Sequence, residues 1–351
     1  MANKLISKKI GKFALRVGSI LLAFVLAAVL TVAISLSMIC SDRFPSAQQM
    51  FVTTILETGQ LKFLASIFLS ADEIQEIVNK NSMKQLNAQV DSQLIQISDD
   101  KNTDEEDIEV TEVSGATFSG TMMVIKDPSR VSLATIYPWK EKGVTLDQLV
   151  KDNDAIAGMN GGLYDSTNNT GGKPMGVIVS NGEIQYNQPQ EVKELVLIGF
   201  TEDNLLEIID ISTMNAADVK SLVKERKIRD AVTFQEEASD ANNHFVQLII
   251  NNEAREMNGM GSGLNPRTAI GQRADGAVLM FVTDGRGKSG HLGASSGDLI
   301  SVMQEYGAVN AANLDGGSSS CMYYDGKYLK SSVTFYYENS SWRLPAGFVV
   351  K

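Results

Sequence analysis

Two Asp-Gly steps, each following an apolar run, are the residues of this chain best suited to chemistry. Asp284-Gly285-Arg286 follows residues 277–283, and Asp315-Gly316-Gly317-Ser318-Ser319-Ser320 follows residues 308–314. Glycines let a backbone approach a ligand closely, and successive N–H groups and hydroxyls can cradle an anion. A carboxylate beside such a cradle can act as acid, base or nucleophile. Arg286 stands two residues after Asp284, and Asn265-Pro266-Arg267 brings a second guanidinium, whose planar fork matches phosphate oxygens. Asn160-Gly161-Gly162 adds an amide in another Gly-rich turn, and His291 lies in the loop 287–293. Together these suggest a sugar–phosphate site, with Arg267, Arg286 and backbone N–H groups for the phosphate and Asp284 and Asp315 for the glycosidic centre. Taken singly, each has an ordinary structural reading: Asp-Gly as a turn, Arg267 as an ion pair, His291 as a solvated loop residue. Ser318 has no G-x-S-x-G elbow around it and makes a weak nucleophile.

Those residues need elements to hold them. Residues 277–283 read as a buried strand. Ser295 with Asp298 caps a helix that buries Leu299, Val302, Met303 and Tyr306, and Gly307 stops it. Residues 308–314 read as a further strand. If the two strands are parallel neighbours, a right-handed crossover joins them, and Asp284 and Asp315 leave the same carboxyl edge of the sheet, where open α/β sheets bind ligands. Further strands are expected at 121–126, 131–137, 155–159, 176–179, 194–200 and 244–251, and helices at 146–151 and 216–226. Asn181-Gly182 between two β-like runs predicts a hairpin. The fold class expected is α/β or α+β, a mixed β-sheet domain with flanking helices.

Composition narrows the chemistry. The chain has 351 residues, 31 Lys plus Arg against 42 Asp plus Glu, two His, two Cys and a net charge of -11. An acidic balance argues against a nucleic-acid groove. Two Cys cannot build a disulfide framework, and two His exclude a His-rich metal centre. The charge is uneven: Lys4, Lys8, Lys9, Lys12 and Arg16 precede the first acid, Asp42. Residues 17–40 carry no charge and are long enough to span a bilayer of about 30 Å as an uncleaved anchor; the alternative is a cleaved signal peptide, whose apolar core would be shorter and would end at small residues. The basic flank is expected to stay cytoplasmic, with the remainder outside. Residues 49–81 read as helical, with a Ser70/Glu73 capping box, and the run 99–112 reads as acidic linker. The expected organisation is a cytoplasmic flank (1–16), a transmembrane helix (17–40), a helical stalk and acidic linker (41–112) and an outer domain (113–351).

The ordered motifs Ala157-Gly-Met-Asn-Gly-Gly-Leu-Tyr164, Gly172-Lys-Pro-Met-Gly-Val-Ile-Val-Ser-Asn-Gly182, Asn265-Pro-Arg-Thr-Ala-Ile-Gly271, Val282-Thr-Asp-Gly-Arg286 and Asn310-Ala-Ala-Asn-Leu-Asp-Gly-Gly-Ser-Ser-Ser320 resemble the phosphodiester glycosidase family. The resemblance runs over residues 113–351. It implies hydrolysis of a phosphodiester in which one ester oxygen belongs to an anomeric carbon. Its pattern falls on Asn160, Arg267, Asp284, Arg286, Asn313, Asp315, Gly316, Gly317 and Ser318. Cys321 stands where Thr or Ala is expected, and Leu163-Tyr164 where the family often has an aromatic pair.

The expected catalytic residues are thus Asp315, Asp284, Arg267 and His291. Substrate-binding residues are Asn160, Gly161, Arg286, Asn313, Gly316, Gly317 and Ser318. The expected partner is a glycan or surface polymer with a sugar-phosphate diester, met by a single-pass membrane protein facing outward. No cofactor is expected; residues 165–172 are rich in Asn and Thr, which could suit a divalent metal such as calcium, but they miss the calcium-loop spacing. The rival readings are a non-catalytic polymer-binding or assembly factor and a glycosyl-phosphate transferase.

Overall fold

A computed structural model describes every residue of the chain except 1, 59–60, 85, 87, 98–106, 237–244 and 335–338, and excludes the side chains of 2–10. His244 and most of the acidic run therefore lie outside the described residues.

The first helix, α1, covers Ala2–Ile39. Its stretch Gly11–Ile39 is long and apolar enough to cross a membrane, and its apolar side chains are not covered by the rest of the protein. Three short helices follow, α2 (Pro45–Leu56), α3 (Phe63–Phe68) and α4 (Ala71–Lys80). The Ser70/Glu73 capping box starts α4 with both reciprocal hydrogen bonds formed. These helices bury Val52, Leu56, Ala65, Ile77 and Val78 against one another.

The remainder is built from three sheets. The largest has seven strands: β1 (Ile108–Ser114), β2 (Ser119–Ile125), β13 (Val278–Thr283), β12 (Thr268–Arg273), β14 (Ala308–Asn313), β10 (Gln247–Ile250) and β11 (Glu253–Ala254), in that spatial order. A second orders β16 (Lys327–Lys330), β15 (Met322–Tyr324), β4 (Ala157–Asn160), β17 (Ala346–Val350) and β3 (Val131–Thr135). The third orders β6 (Glu183–Asn187), β5 (Val177–Ser180), β9 (Ile228–Gln235), β7 (Leu195–Thr201) and β8 (Leu206–Asp210). All pairings within the described sheets are antiparallel. Helices and antiparallel sheets together make the domain α+β.

The inner strands of each sheet are covered on both faces, which explains their continuous apolar runs, while the edge strands β1, β6 and β16 are largely exposed or half-buried. One face of all three points into a shared core that contains Met123, Met159, Ile198, Ile270, Met280 and Phe348. On the other face each sheet carries one helix. α7 (Ser296–Glu305) packs on the seven-stranded sheet, α5 (Leu146–Asp152) on the second and α6 (Ala216–Glu225) on the third. Alternation along β2 sends Met123 and Ile125 to the shared core and Met122 and Val124 toward α7. Asn181 and Gly182 take φ of 53° and 76° in the β5–β6 hairpin, as a tight turn of the primed type requires.

The strands before and after α7 are not neighbours. β12 lies between β13 and β14 and pairs antiparallel with both. The sequence hides this strand, because Thr268–Arg273 holds Gly271 and polar Gln272 and Arg273 and bulges at its end. The consequence for the two aspartates survives by a different route. Two strands each antiparallel to a common third run in the same direction, so Asp284 and Asp315 leave one edge. The start of β2 at Ser119 and the Asn265–Pro266–Arg267 entry to β12 meet them there.

Candidate active site

The Asp284 carboxylate is held by both oxygens. Its Oδ1 accepts the Ser119 N–H at 2.9 Å, and its Oδ2 lies 2.7 Å from Nδ1 of His291. The loop between them folds back on itself, with Arg286 N–H donating to Leu292 O and Gly287 N–H to His291 O. Arg286 and Gly287 adopt φ of 54° and 86° to make this turn. Gly293 closes it at a φ of 126°, where a Cβ would come within 2.5–2.7 Å of the Asn265 backbone. The loop can therefore lie against the Asn265–Pro266 strand entry only without a side chain at that position. With Nδ1 turned to a carboxylate acceptor, the ring presents Nε2 away from Asp284.

Arg286 reaches from this loop to the next. Its Nη1 donates to Ser318 Oγ at 2.9 Å, and its Nε lies 3.4 Å from Asn265 Oδ1. Gly317, with φ of 62°, lies so close that a Cβ there would be 2.7 Å from the guanidinium. Lost hydration and the charge of Arg267 lower the Arg286 pKa, while Asp315 and Glu57 oppose them. Arg286, Ser318, Gly316–Gly317 and the Asp284–His291 pair thus share one rim, and Asp315 lies in the electrostatic reach of Arg286.

Other expected site residues stand behind that rim. Arg267 is buried, with a side chain 4% exposed. It donates from Nε to Ala294 O at 3.1 Å and from Nη2 to Glu57, Ser262 and Gly263 O. Asn160 is also buried and pins the Asp315 loop, its Nδ2 donating to Asp315 O at 2.6 Å. Its Oδ1 accepts from Thr268 Oγ1 and Cys321 N–H. Gly161 accepts the Asp315 N–H at 3.3 Å. Asn313 is buried, and its Oδ1 has no hydrogen-bond partner among the described residues. Arg267, Asn160, Gly161 and Asn313 are thus buried behind the rim, where Arg267 and Asn160 bond to the loops that form it.

Several residues not singled out in the sequence lie at the same edge. Lys330 Nζ bridges Glu112 at 3.0 Å and Ser119 Oγ at 3.1 Å, and Lys288 Nζ bonds Ser331 Oγ. Glu57, from the end of α2, reaches Arg267. Lone lysines and a glutamate more than two hundred positions away leave no local pattern; only the Lys288 position, inside the loop already suspected, offered a signal.

Behind the Asp315 loop, Tyr164 Oη and Ser319 Oγ are 2.9 Å apart. Burial, then the Asp315 charge, push the Tyr164 phenol well above its ordinary range. Burial likewise pushes up the thiol of Cys321, which is fully enclosed. The departure from Thr or Ala at this position is therefore a matter of packing. A maleimide at pH 8 is expected to leave Cys321 unlabelled in the folded protein and to label it after guanidinium unfolding, since reaction needs an accessible thiolate. Mass spectrometry of the Cys321 peptide reads this; fast labelling of the native protein would contradict the enclosed position. Among the described residues, no group of three or more His, Cys, Asp or Glu is arranged to hold a metal ion. A surface depression lined by Glu109, Arg273, Asp275 and Glu305 lies at the opposite end of the seven-stranded sheet, away from these groups.

The model for phosphodiester glycosidases matches residues 153–351, more than half of the chain. The chain belongs to the phosphodiester glycosidase family. The matched region contains the whole of the Asp284–His291 loop and the Asp315–Ser318 cradle. The catalytic domain of zebrafish N-acetylglucosamine-1-phosphodiester alpha-N-acetylglucosaminidase, auto-inhibited by its pro-peptide, has a similar fold. It superposes with a TM-score of 0.53 at 17% identity, over 71% of this chain and 85% of that one. A hypothetical protein from Synechocystis gives a TM-score of 0.43 at 16% identity, over 70% and 62% of the two chains. The SPbeta prophage-derived uncharacterized protein YomE of Bacillus subtilis (strain 168) is 40% identical over 67 residues. That match covers 19% of this chain and a tenth of YomE.

Proposed function

We propose that this phosphodiester glycosidase hydrolyses a sugar-1-phosphodiester of a surface glycan or polymer, held at the outer face of a membrane by α1. The observation that carries this reading is the shared rim. A histidine whose Nδ1 is taken by a buried carboxylate lies in the loop whose arginine binds a Gly-Gly-Ser turn. Arg286 and Ser318 would hold the phosphate, with the Gly316–Gly317 backbone as cradle. Asp315 would face the anomeric carbon and stabilise the positive charge that develops there. Asp284 would fix the ring, and His291 Nε2 would take a proton from the attacking water. The water oxygen then bonds to C1. The C1–O bond breaks with its electron pair on the departing phosphate monoester, and the proton passes from His291 to solvent. A carboxylate beside a guanidinium suits this C–O cleavage.

The test is incubation of the full chain, in detergent, with GlcNAc-1-phospho-6-mannose and with teichoic-type polymers in ¹⁸O-water, followed by mass spectrometry. Free sugar carrying the label and an unlabelled phosphomonoester are expected. Label in the phosphate would replace C–O by P–O cleavage. Transfer of the glycosyl-phosphate to an added acceptor would make the protein a transferase, and binding without turnover would make it a polymer-binding factor. Protease digestion of intact cells, removing the domain after α1 while sparing cytoplasmic markers, tests the outward orientation.

A further inference from the structure

We propose that Glu57, supplied by the membrane-proximal helices, is a positioning residue that holds the site's Arg286 and the buried Arg267 behind it in register. The proposal rests on the phosphate-binding role given above to Arg286 and adds to it a source of that side chain's orientation.

Glu57 is the C-cap residue of α2, and its side chain is 2% exposed. A carboxylate there sits at the unfavoured, negative end of the helix dipole, so local helix physics does not account for its place. Its contacts across the chain do. Oε1 accepts the Gly263 N–H at 2.5 Å. Oε2 lies 2.5 Å from Arg267 Nη2 and 2.9 Å from Asn265 Nδ2. The neighbouring Thr54 Oγ1 accepts the Leu264 N–H at 3.0 Å, so the end of α2 grips the loop 263–265 at consecutive residues.

The Asn265 bond sets an orientation. An amide has one donor end and one acceptor end. When Glu57 takes the Nδ2 end, Asn265 must turn Oδ1 the other way, and Oδ1 is the atom facing Arg286 Nε. Glu57 therefore acts on Arg286 through Asn265, and on the buried Arg267 directly. By compensating the Arg267 charge it also relieves the repulsion that Arg267 exerts on Arg286. In this arrangement the helices after α1 complete the phosphate site.

The test measures binding of inorganic phosphate to the full chain by calorimetry, for wild type, Glu57→Gln and Asn265→Ala, beside thermal unfolding and turnover of the diester. Phosphate affinity is expected to fall about tenfold or more in both variants, as expected when a charge-assisted partner loses its orientation. Asn265→Ala keeps every charge and is the variant expected to unfold near the wild-type temperature, so the proposal remains testable if Glu57→Gln fails to fold. Wild-type phosphate affinity in Asn265→Ala would reduce Glu57 to a structural ion pair and overturn the proposal. Tighter phosphate binding or faster turnover in Glu57→Gln would make Glu57 a plug and overturn it too, as would a wild type that binds no phosphate. A wild type that binds phosphate with this variant pattern but turns over no diester would leave the positioning role standing and remove the hydrolase reading.

Discussion

Replacing His291 by alanine is expected to lower kcat by about 10²- to 10⁴-fold, the range for losing a positioned general base. KM for the diester should stay close to that of wild type, because in the proposed reaction the ring acts on water and not on the phosphate. Asp284→Asn is expected to fall in the same range. The Asp284 carboxylate accepts from the Ser119 N–H and faces His291 Nδ1. An asparagine that keeps the first bond turns its NH₂ toward Nδ1, which then becomes the acceptor, and the proton moves to Nε2. Nε2 is the atom that must be free to take a proton from water. Steady-state kinetics on a synthetic sugar-1-phosphodiester measures both. If both variants retained wild-type kcat, proton transfer would have to be assigned elsewhere.

Arg286→Ala is expected to cost about 10²- to 10³-fold in kcat/KM, the usual loss when one donor to a developing anion is removed. Arg286→Lys should recover little of it. An ammonium is a point charge on a flexible stem, and it cannot bond Ser318 Oγ while also facing Asn265 Oδ1, as the guanidinium does through Nη1 and Nε. Ser318→Ala should show a smaller effect of the same kind. The comparison with Arg267→Lys is informative: the buried Arg267 should affect unfolding temperature before it affects the apparent affinity for phosphate. An Arg286→Lys enzyme with full kcat/KM would show that simple charge is sufficient and that the fork geometry has no role.

Local chemistry in the sequence goes far toward this site. Asp284 and Asp315 are visible because Gly follows each and an apolar run precedes each, and the caps at Ser70 and Ser295 form as their spacing demands. The Asn181-Gly182 hairpin is likewise fixed by backbone preference alone. What is hidden depends on long-range pairing. Nothing near Thr268 says that its strand must enter between β13 and β14, and nothing near Arg267 says that its partner is Glu57. Arg267 and Asn160 have the residue types of ligand groups, but both are buried and bonded to the loops behind the rim. Residue type states what a side chain can bond to; only the fold states which bonds are already taken.

The span of the Glu57–Arg267 contact has a kinetic consequence. Its partners are 210 residues apart, and the site also draws on Ser119, Asn160, Asn265, Asp284 and Asp315 from separate strands. Contacts so distant along the chain form late and slowly, since the chain entropy of closure must be overcome before they yield anything. The helices after α1 can form early and alone, but the arginines they position can be set only after the sheets have closed. Catalytic competence should therefore appear as one of the last folding events, after secondary structure is complete, and a chain still being assembled should have no working phosphate site.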